Sequence, residues 1–142
     1  MQSSAASDVY KRQIIFRPGS SHNFQELLSL QKTECFYTLK FMLIYNTTYH
    51  VALDDARNFV IWLNECYIPE AEKSGELKEP RILRILSHKE QDSECFSLQW
   101  EVADSAVLHR WHTHTGMRLN EEMMKVFKDK VIGFPTLMEV IK

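Results

Sequence analysis

Apolar and polar residues follow a strand-like or a helix-like period in six successive segments of the chain after residue 41. Residues 42–51 alternate and are rich in Tyr, Thr and Ile, which predicts a strand. Residues 80–87 and 95–102 predict two more strands, and the short polar stretch between them favours an antiparallel hairpin. Residues 136–141 predict a fourth and last strand.

The first of two helical segments lies between the first two strands. Asp54 or Asp55 is expected to cap this helix by accepting a hydrogen bond from a free backbone amide of its first turn. Phe59 and Leu63, which are four residues apart, place the apolar side chains on one face. Gly75 is expected to close the helix.

The second helical segment follows the third strand. Asp104 or Ser105 is its expected cap. Residues 113–116 are expected to break or bend it, and an apolar stripe then continues to residue 131. Gly133 suits a left-handed helix terminus and Pro135 prevents continuation, so the helical segment is expected to end there.

The predicted order of elements is βαββαβ, which indicates an α+β, ferredoxin-like fold. Right-handed crossovers place both helices on one face of a four-stranded antiparallel sheet. The other face would be covered if it packed on a second copy of the chain, so a homodimer is expected. The alternative is a monomer whose second face is polar.

Residues 3–13 resemble an in-frame translation of the transposase adapter used to prepare sequencing libraries, which indicates a metagenomic source. Residues 1–41 are therefore expected to be a non-native, disordered extension, and residues 42–142 a single domain that starts at Met42. The alternative is a genuine N-terminal extension with a short helix around residues 24–30.

Charge and cysteine content exclude several classes of function. The formal net charge of the whole chain is −2, and the first 41 residues carry more basic than acidic side chains, so the domain is acidic. An acidic domain without a Lys/Arg cluster is unsuited to nucleic acid or to an anionic membrane. Cys66 and Cys95 are the two cysteines of the domain, and no CxxC occurs, so a reducing cytoplasm is expected.

Four short stretches of the domain are distinctive: YNTT at 45–48, WLNECYIPE at 62–70, LQWEV at 98–102 and FKDKVIGFPT at 127–136. Together they resemble an uncharacterised bacterial family, a domain of unknown function placed with the dimeric α/β barrels beside antibiotic-biosynthesis-type monooxygenases. The resemblance covers essentially all of residues 42–142. It implies paired sheets that close a barrel across a dimer, but it does not specify a reaction.

His109, His112 and His114 form the most conspicuous cluster of possible ligands. On a continuous helix His109 and His112 share a face, whereas His114 points nearly opposite His112. Zinc sites usually take three or four protein ligands, and no second pair of Cys or His stands at ligand spacing. The sequence therefore predicts solvent-facing histidines at a helix bend, with no metal and no cofactor.

The resemblance also implies a comparison with heme-degrading monooxygenases, in which an Asn on the first strand, a Trp early in the second helix and a later His shape the pocket. Asn46 and Trp111 stand at comparable positions, but the position expected for the heme-ligating His is near Glu121. Because a carboxylate is a poor proximal ligand, heme binding is ranked third. The alternative for Trp111 is a place in the core.

Two functions therefore rank above heme binding. The first is a non-catalytic dimeric domain that binds a small apolar or aromatic ligand between the sheet and the helices. The second is a cofactor-independent monooxygenase or isomerase at the same place. The candidate site residues are Asn46, His109, Trp111, His112 and Glu121.

Overall fold

The computed structural model of the chain describes residues 42–142. The predicted extension at 1–41 lies outside the described residues, and so does the short helix considered around 24–30. In the described part of the chain, no helix has both the length and the apolar character needed to cross a membrane.

Four strands form one antiparallel sheet in the order β2-β3-β1-β4, which confirms the predicted α+β, ferredoxin-like fold. The strands are β1 (Leu43–Ala52), β2 (Lys78–Arg84), β3 (Ser93–Val102) and β4 (Val131–Glu139). β1 is central because it pairs with β3 on one edge and with β4 on the other.

Helix α1 consists of Ala56–Trp62, a π-helical turn at Leu63–Tyr67 and a last turn at Ile68–Ala71. A 3-10 turn at Leu53–Asp55 leads into it, and the predicted cap by Asp54 or Asp55 is wrong, since neither carboxylate caps the helix by a side-chain hydrogen bond. Pro69 stands at the start of the last turn, directly after the π-helical turn. A proline removes a backbone donor and crowds the preceding turn, so a widened turn is a suitable place for it.

Helix α2 consists of Ser105–Trp111, a π-helical turn at His112–Gly116 and Met117–Phe127. The predicted cap is confirmed, since the Asp104 carboxylate accepts a hydrogen bond from the Val107 amide at 2.9 Å. Of the break or bend predicted at residues 113–116, the break is wrong, because the backbone widens into a π-helical turn there and the helix continues.

β4 begins at Val131, five residues earlier than the predicted start at 136. Gly133 and Pro135, expected to end the helix, instead lie inside the strand and pair with Tyr49 and Thr47. Pro135 is tolerated because β4 is an edge strand of the described sheet, so one side of its backbone needs no ladder donor.

The core lies between the sheet and the two helices and is filled mainly by large aromatic and aliphatic side chains. Phe59 of α1 packs edge-on against Tyr49 of β1, with ring centroids 5.0 Å apart, and against Phe127 of α2 at 5.4 Å. The fully buried residues include Phe59, Leu63, Trp100, Leu108, Trp111 and Leu119. Burial of apolar area on this scale is the main source of folding free energy.

Trp111 of α2 joins the two helices at the end of α1. Its indole Nε1 donates a 2.8 Å hydrogen bond to the Ala71 carbonyl of α1. Gly116 gives the indole the space it occupies, since a Cβ at this position would lie 2.6 Å from Trp111 Cζ3. The glycine is therefore required for close packing.

We predict that Gly116→Ala lowers the free energy of unfolding by about 1 to 2 kcal/mol, because overpacking outweighs the higher helix propensity of alanine. Chemical denaturation measures the effect. In a Trp111→Phe background the same substitution should cost less, since the ring atoms that clash are removed or shifted. Equal costs in both backgrounds would contradict this account.

Candidate functional site

Successive residues of each strand point to opposite faces of the sheet, and the two faces differ in chemistry. One face packs on α1 and α2, as the contacts of Tyr45 and Tyr49 with Trp111 and Phe59 show. We call the other face the distal face. The register places on it Ile44, Asn46, Thr48 and His50 of β1, Ser93, Cys95, Ser97, Gln99 and Glu101 of β3, and Ile132, Phe134, Thr136 and Met138 of β4.

At one end of the distal face, three side chains form what we call the His–Cys cluster: His50, His88 and Cys95. The Cys95 Sγ atom lies 3.3 Å from His50 Nδ1 and 3.2 Å from His88 Nδ1. His50 and Cys95 are directly opposite in the β1–β3 ladder. His88 reaches them from the turn between β2 and β3, and the two imidazole rings stand edge to face with centroids 5.4 Å apart.

Two further residues orient His88 from its other ring nitrogen. His88 Nε2 lies 2.9 Å from Ser93 Oγ, and Ser93 Oγ donates a 3.0 Å hydrogen bond to the Glu90 carboxylate. Because the serine proton is directed to Glu90, the serine oxygen accepts from His88 Nε2–H. In the neutral imidazole, Nδ1 then carries the lone pair that faces Cys95 Sγ.

Cys95 is a buried free cysteine, whereas Cys66 is exposed. Burial raises the pKa of the Cys95 thiol, and the negative charge of Glu90 raises it further. The protonated thiol is therefore favoured near neutral pH, which is the opposite of what an activated cysteine nucleophile requires.

Two shallow cavities flank the His–Cys cluster and share Glu90 and Ser93 in their walls. One has a volume of about 280 Å³ and includes His88 and Cys95 in its lining. The other measures about 370 Å³ and includes His50. The cluster is thus reachable from two sides although Cys95 itself is 3 % exposed.

A larger groove lies on the helix side of the sheet, between α1 and the edge strand β2; we call it the α1–β2 groove. Its volume is about 740 Å³, and six of its eight lining residues are apolar: Val60, Ile68, Pro80, Ile82, Leu86 and Phe96, with Asn64 and Arg84 as the two polar ones. Val60, Asn64 and Ile68 recur every four residues and form one row along α1. The Arg84 guanidinium stands 5.7 Å from the centre of the Phe96 ring.

The structure does not bring Asn46 and Trp111 together. Asn46 lies on the distal face, where its carbonyl accepts a hydrogen bond from Ser97 and its amide donates to Thr48 at 3.2 Å. Trp111 is 1 % exposed on the other side of the sheet, with its ring 6.0 Å from that of Tyr45. The two side chains therefore cannot line one pocket within a single chain.

The remaining sequence candidates are all on α2. His109 and His112 are partly buried, while His114 and Glu121 are exposed. Burial lowers the pKa of His112, and the neighbouring His109 lowers it further, so His112 is neutral at pH 7. None of the five candidates lines the α1–β2 groove or belongs to the His–Cys cluster.

His88 and Cys95 were not predicted from the sequence as partners of His50. Their spacing along the chain matches no local ligand motif, since the cluster depends on pairing between strands that are distant in sequence. A signal existed nonetheless. In a βαββαβ fold β1 and β3 are neighbouring antiparallel strands, so the end of β1 meets the start of β3, where the sequence has a His and a Cys.

We predict that Cys66 is alkylated by iodoacetamide much faster than Cys95 at pH 7, because Cys95 is buried and its raised pKa leaves little thiolate. The Cys95 rate should increase as the pH is raised, since deprotonation produces the reactive form. Peptide mass spectrometry over time measures both sites in one sample. Comparable rates at pH 7 would contradict the assigned protonation state.

No curated protein matches the sequence. Among solved structures, the chain is similar to an ethyl tert-butyl ether d (EthD) family protein from Bacillus halodurans C-125, with a TM-score of 0.50 and 15 % sequence identity. That alignment covers 70 % of this chain and 98 % of the other, and at this identity it shows a shared fold alone. The sequence profile of a domain of unknown function, DUF4286, matches residues 42–141. The chain therefore belongs to the DUF4286 family.

Proposed function

We propose that this protein is a small-molecule-binding domain and that a flat apolar or aromatic ligand with a negative charge occupies the α1–β2 groove. The observation that carries the proposal is the lining of the groove: apolar side chains along both walls with one guanidinium among them. Its volume of about 740 Å³ falls within the range typical of small-molecule sites. This is also the place, between sheet and helices, that the sequence analysis predicts for the ligand.

The apolar residues of the groove and its arginine have distinct parts in recognition. Val60, Ile68 and Ile82 are partly buried against the core and present firm apolar surface to a ring system. Arg84 is held over Phe96 and lies 3.8 Å from the Glu94 carboxylate. An anionic group on the ligand would compete with Glu94 for the guanidinium and gain a charge-assisted hydrogen bond.

Binding without catalysis is favoured over the alternative, a cofactor-independent monooxygenase or isomerase. Such an enzyme needs an acid or base within hydrogen-bonding reach of the reacting atoms. Asn64 and Arg84 are the polar side chains among the residues lining this groove, and neither an amide nor a guanidinium serves as a general acid or base. Heme binding is disfavoured for the related reason that this lining contains no His or Cys to serve as an axial ligand.

The anionic dye 8-anilinonaphthalene-1-sulfonate is a suitable probe, since it is aromatic and carries one negative charge. We predict that wild-type protein binds it with increased fluorescence and that Arg84→Gln raises the dissociation constant roughly three- to tenfold, which corresponds to about 1 kcal/mol. Asn64→Trp should abolish binding by filling the groove. Fluorescence titration measures each constant.

Matched control variants distinguish a loss of dye binding at the groove from a general effect of changing the surface. Arg81→Gln removes a charge of the same strand whose guanidinium contacts Gln99 on the distal face, so it should leave binding unchanged. Glu65→Trp adds an indole one residue from Asn64 but outside the groove lining, and it should be equally neutral. Equal losses in Arg81→Gln and Arg84→Gln would reject the groove as the binding site.

The proposal extends to a homodimer in which two distal faces pack together as in a dimeric α/β barrel. This face carries apolar residues that no described helix covers, and Leu83 and Ile132 are 42 % and 50 % exposed. One basic and one acidic side chain, Arg81 and Glu101, lie at its rim. A two-fold contact requires such a self-complementary surface, because each patch meets a copy of itself.

We predict that Leu83→Glu weakens the dimer at least roughly tenfold, since the contact would bury a charge against apolar surface. Ile61→Glu is the matched control, because Ile61 on α1 is also 42 % exposed but is not on the distal face. Sedimentation equilibrium measures both dissociation constants. A monomeric wild-type protein at micromolar concentration would overturn the dimer, while dye binding would still report on the groove.

A further inference from the structure

We propose that His50 Nδ1, His88 Nδ1 and Cys95 Sγ bind a divalent transition-metal ion of the zinc class. The three donor atoms lie within 4.8 Å of one another on the distal face. The site is independent of the proposed ligand groove, because Cys95 and the groove residue Phe96 are consecutive on β3 and point to opposite faces.

The distances match the spacing of ligands around a tetrahedral ion. With a zinc–sulfur bond of about 2.3 Å and a zinc–nitrogen bond of about 2.0 Å, sulfur and nitrogen ligands stand roughly 3.5 Å apart. The two observed sulfur–nitrogen separations, 3.3 Å and 3.2 Å, are close to that value. The two histidine nitrogens, which lie within 4.8 Å of each other, stand roughly 3.3 Å apart around such an ion, so side-chain rotation has to bring them to that separation.

The groups around the cluster support His88 as a ligand. The chain of hydrogen bonds from His88 Nε2 through Ser93 to Glu90 fixes the tautomer that leaves Nδ1 unprotonated. A ligating histidine commonly uses its second ring nitrogen in this way, which orients the ring and increases its basicity. His50 is held by edge-on packing against Phe134, with ring centroids 5.6 Å apart.

The proton balance of binding is simple. Without metal, a buried free cysteine such as Cys95 carries its thiol proton near neutral pH. The ion takes the place of the thiol proton: the S–H bond breaks, a metal–thiolate bond forms and the proton is released to the buffer. No oxidant or reductant takes part.

The donor set selects the class of metal. One thiolate and two imidazoles suit Zn²⁺ and disfavour Mg²⁺ and Ca²⁺, which take oxygen ligands. Three protein ligands leave the fourth tetrahedral position for water or an external molecule. The cavities of about 280 Å³ and 370 Å³ on the two sides of the cluster give access to that position.

The test is isothermal titration of the full chain, purified without a histidine tag, with Zn²⁺ in the presence of a competing chelator. We expect one Zn²⁺ per chain and the release of about one proton at pH 7, obtained by comparing buffers of different ionisation enthalpy. Cys95→Ser should weaken binding at least roughly 100-fold, and His50→Gln and His88→Gln roughly 10- to 100-fold. Ser93→Ala should weaken it about tenfold by removing the support of His88.

Two control variants each remove a possible ligand, a thiol or an imidazole, that lies outside the cluster. Cys66→Ser and His114→Gln change exposed residues of the same types, and both should bind Zn²⁺ as the wild type does. Full binding by Cys95→Ser would overturn the proposal, since it would place the ion elsewhere, for example on the α2 histidines. Wild-type protein that takes up no Zn²⁺ would overturn it as well.

A second measurement needs no variant and so does not depend on whether Cys95→Ser folds. Wild-type protein is treated with iodoacetamide at pH 9, with and without one equivalent of Zn²⁺, and the label at each cysteine is quantified by mass spectrometry. Zn²⁺ should slow the labelling of Cys95 at least roughly tenfold and leave Cys66 unchanged. Equal labelling of Cys95 in both samples would contradict the site.

Discussion

The central strand β1 is bonded to a neighbour on each edge and carries functional side chains on each face, and the rest of the structure depends on its register. Tyr45 and Tyr49 point to the helices, and their pairing with Trp111 and Phe59 fixes where α1 and α2 lie. His50 points the other way and meets Cys95. A shift of the β1 register by one residue would exchange the side chains on its two faces, which would expose the aromatic rings and bury a histidine. The packing of the core therefore also determines the position of the His–Cys cluster.

The π-helical turns shape the layer between the sheet and the helices. Each helix has one widened turn, at Leu63–Tyr67 in α1 and at His112–Gly116 in α2. The first turn brings Tyr67 into the core, where its hydroxyl donates a hydrogen bond to the Tyr49 hydroxyl and burial raises the pKa of Tyr67 well above its usual value. These rings fill the space above the middle of the sheet, and α1 does not extend over the edge strand β2. The α1–β2 groove is what remains uncovered.

Much of the fold and little of the candidate sites follow from local pattern. The alternation around Phe96, Leu98 and Trp100 predicted β3 correctly, and Asp104, one of the two expected caps, caps α2 through a hydrogen bond within its own turn. β4 was placed too late, since Gly133 and Pro135 resemble a helix terminus until strand pairing is known. Asn46 and Trp111 were grouped by resemblance, but residues of one strand alternate between faces, and the register separates them.

The sequence by itself determined the order of elements, the apolar stripe of each helix and therefore the ferredoxin-like topology, because periodicity and capping act over a few residues. Tertiary structure decided which polar side chains meet. The Cys95 thiol faces two histidines, one 45 and one 7 residues away, because β1 and β3 pair and the turn after β2 folds back on them. Tertiary structure also placed Arg84 beside the apolar groove, because packing across the whole core determines how far α1 extends over the sheet.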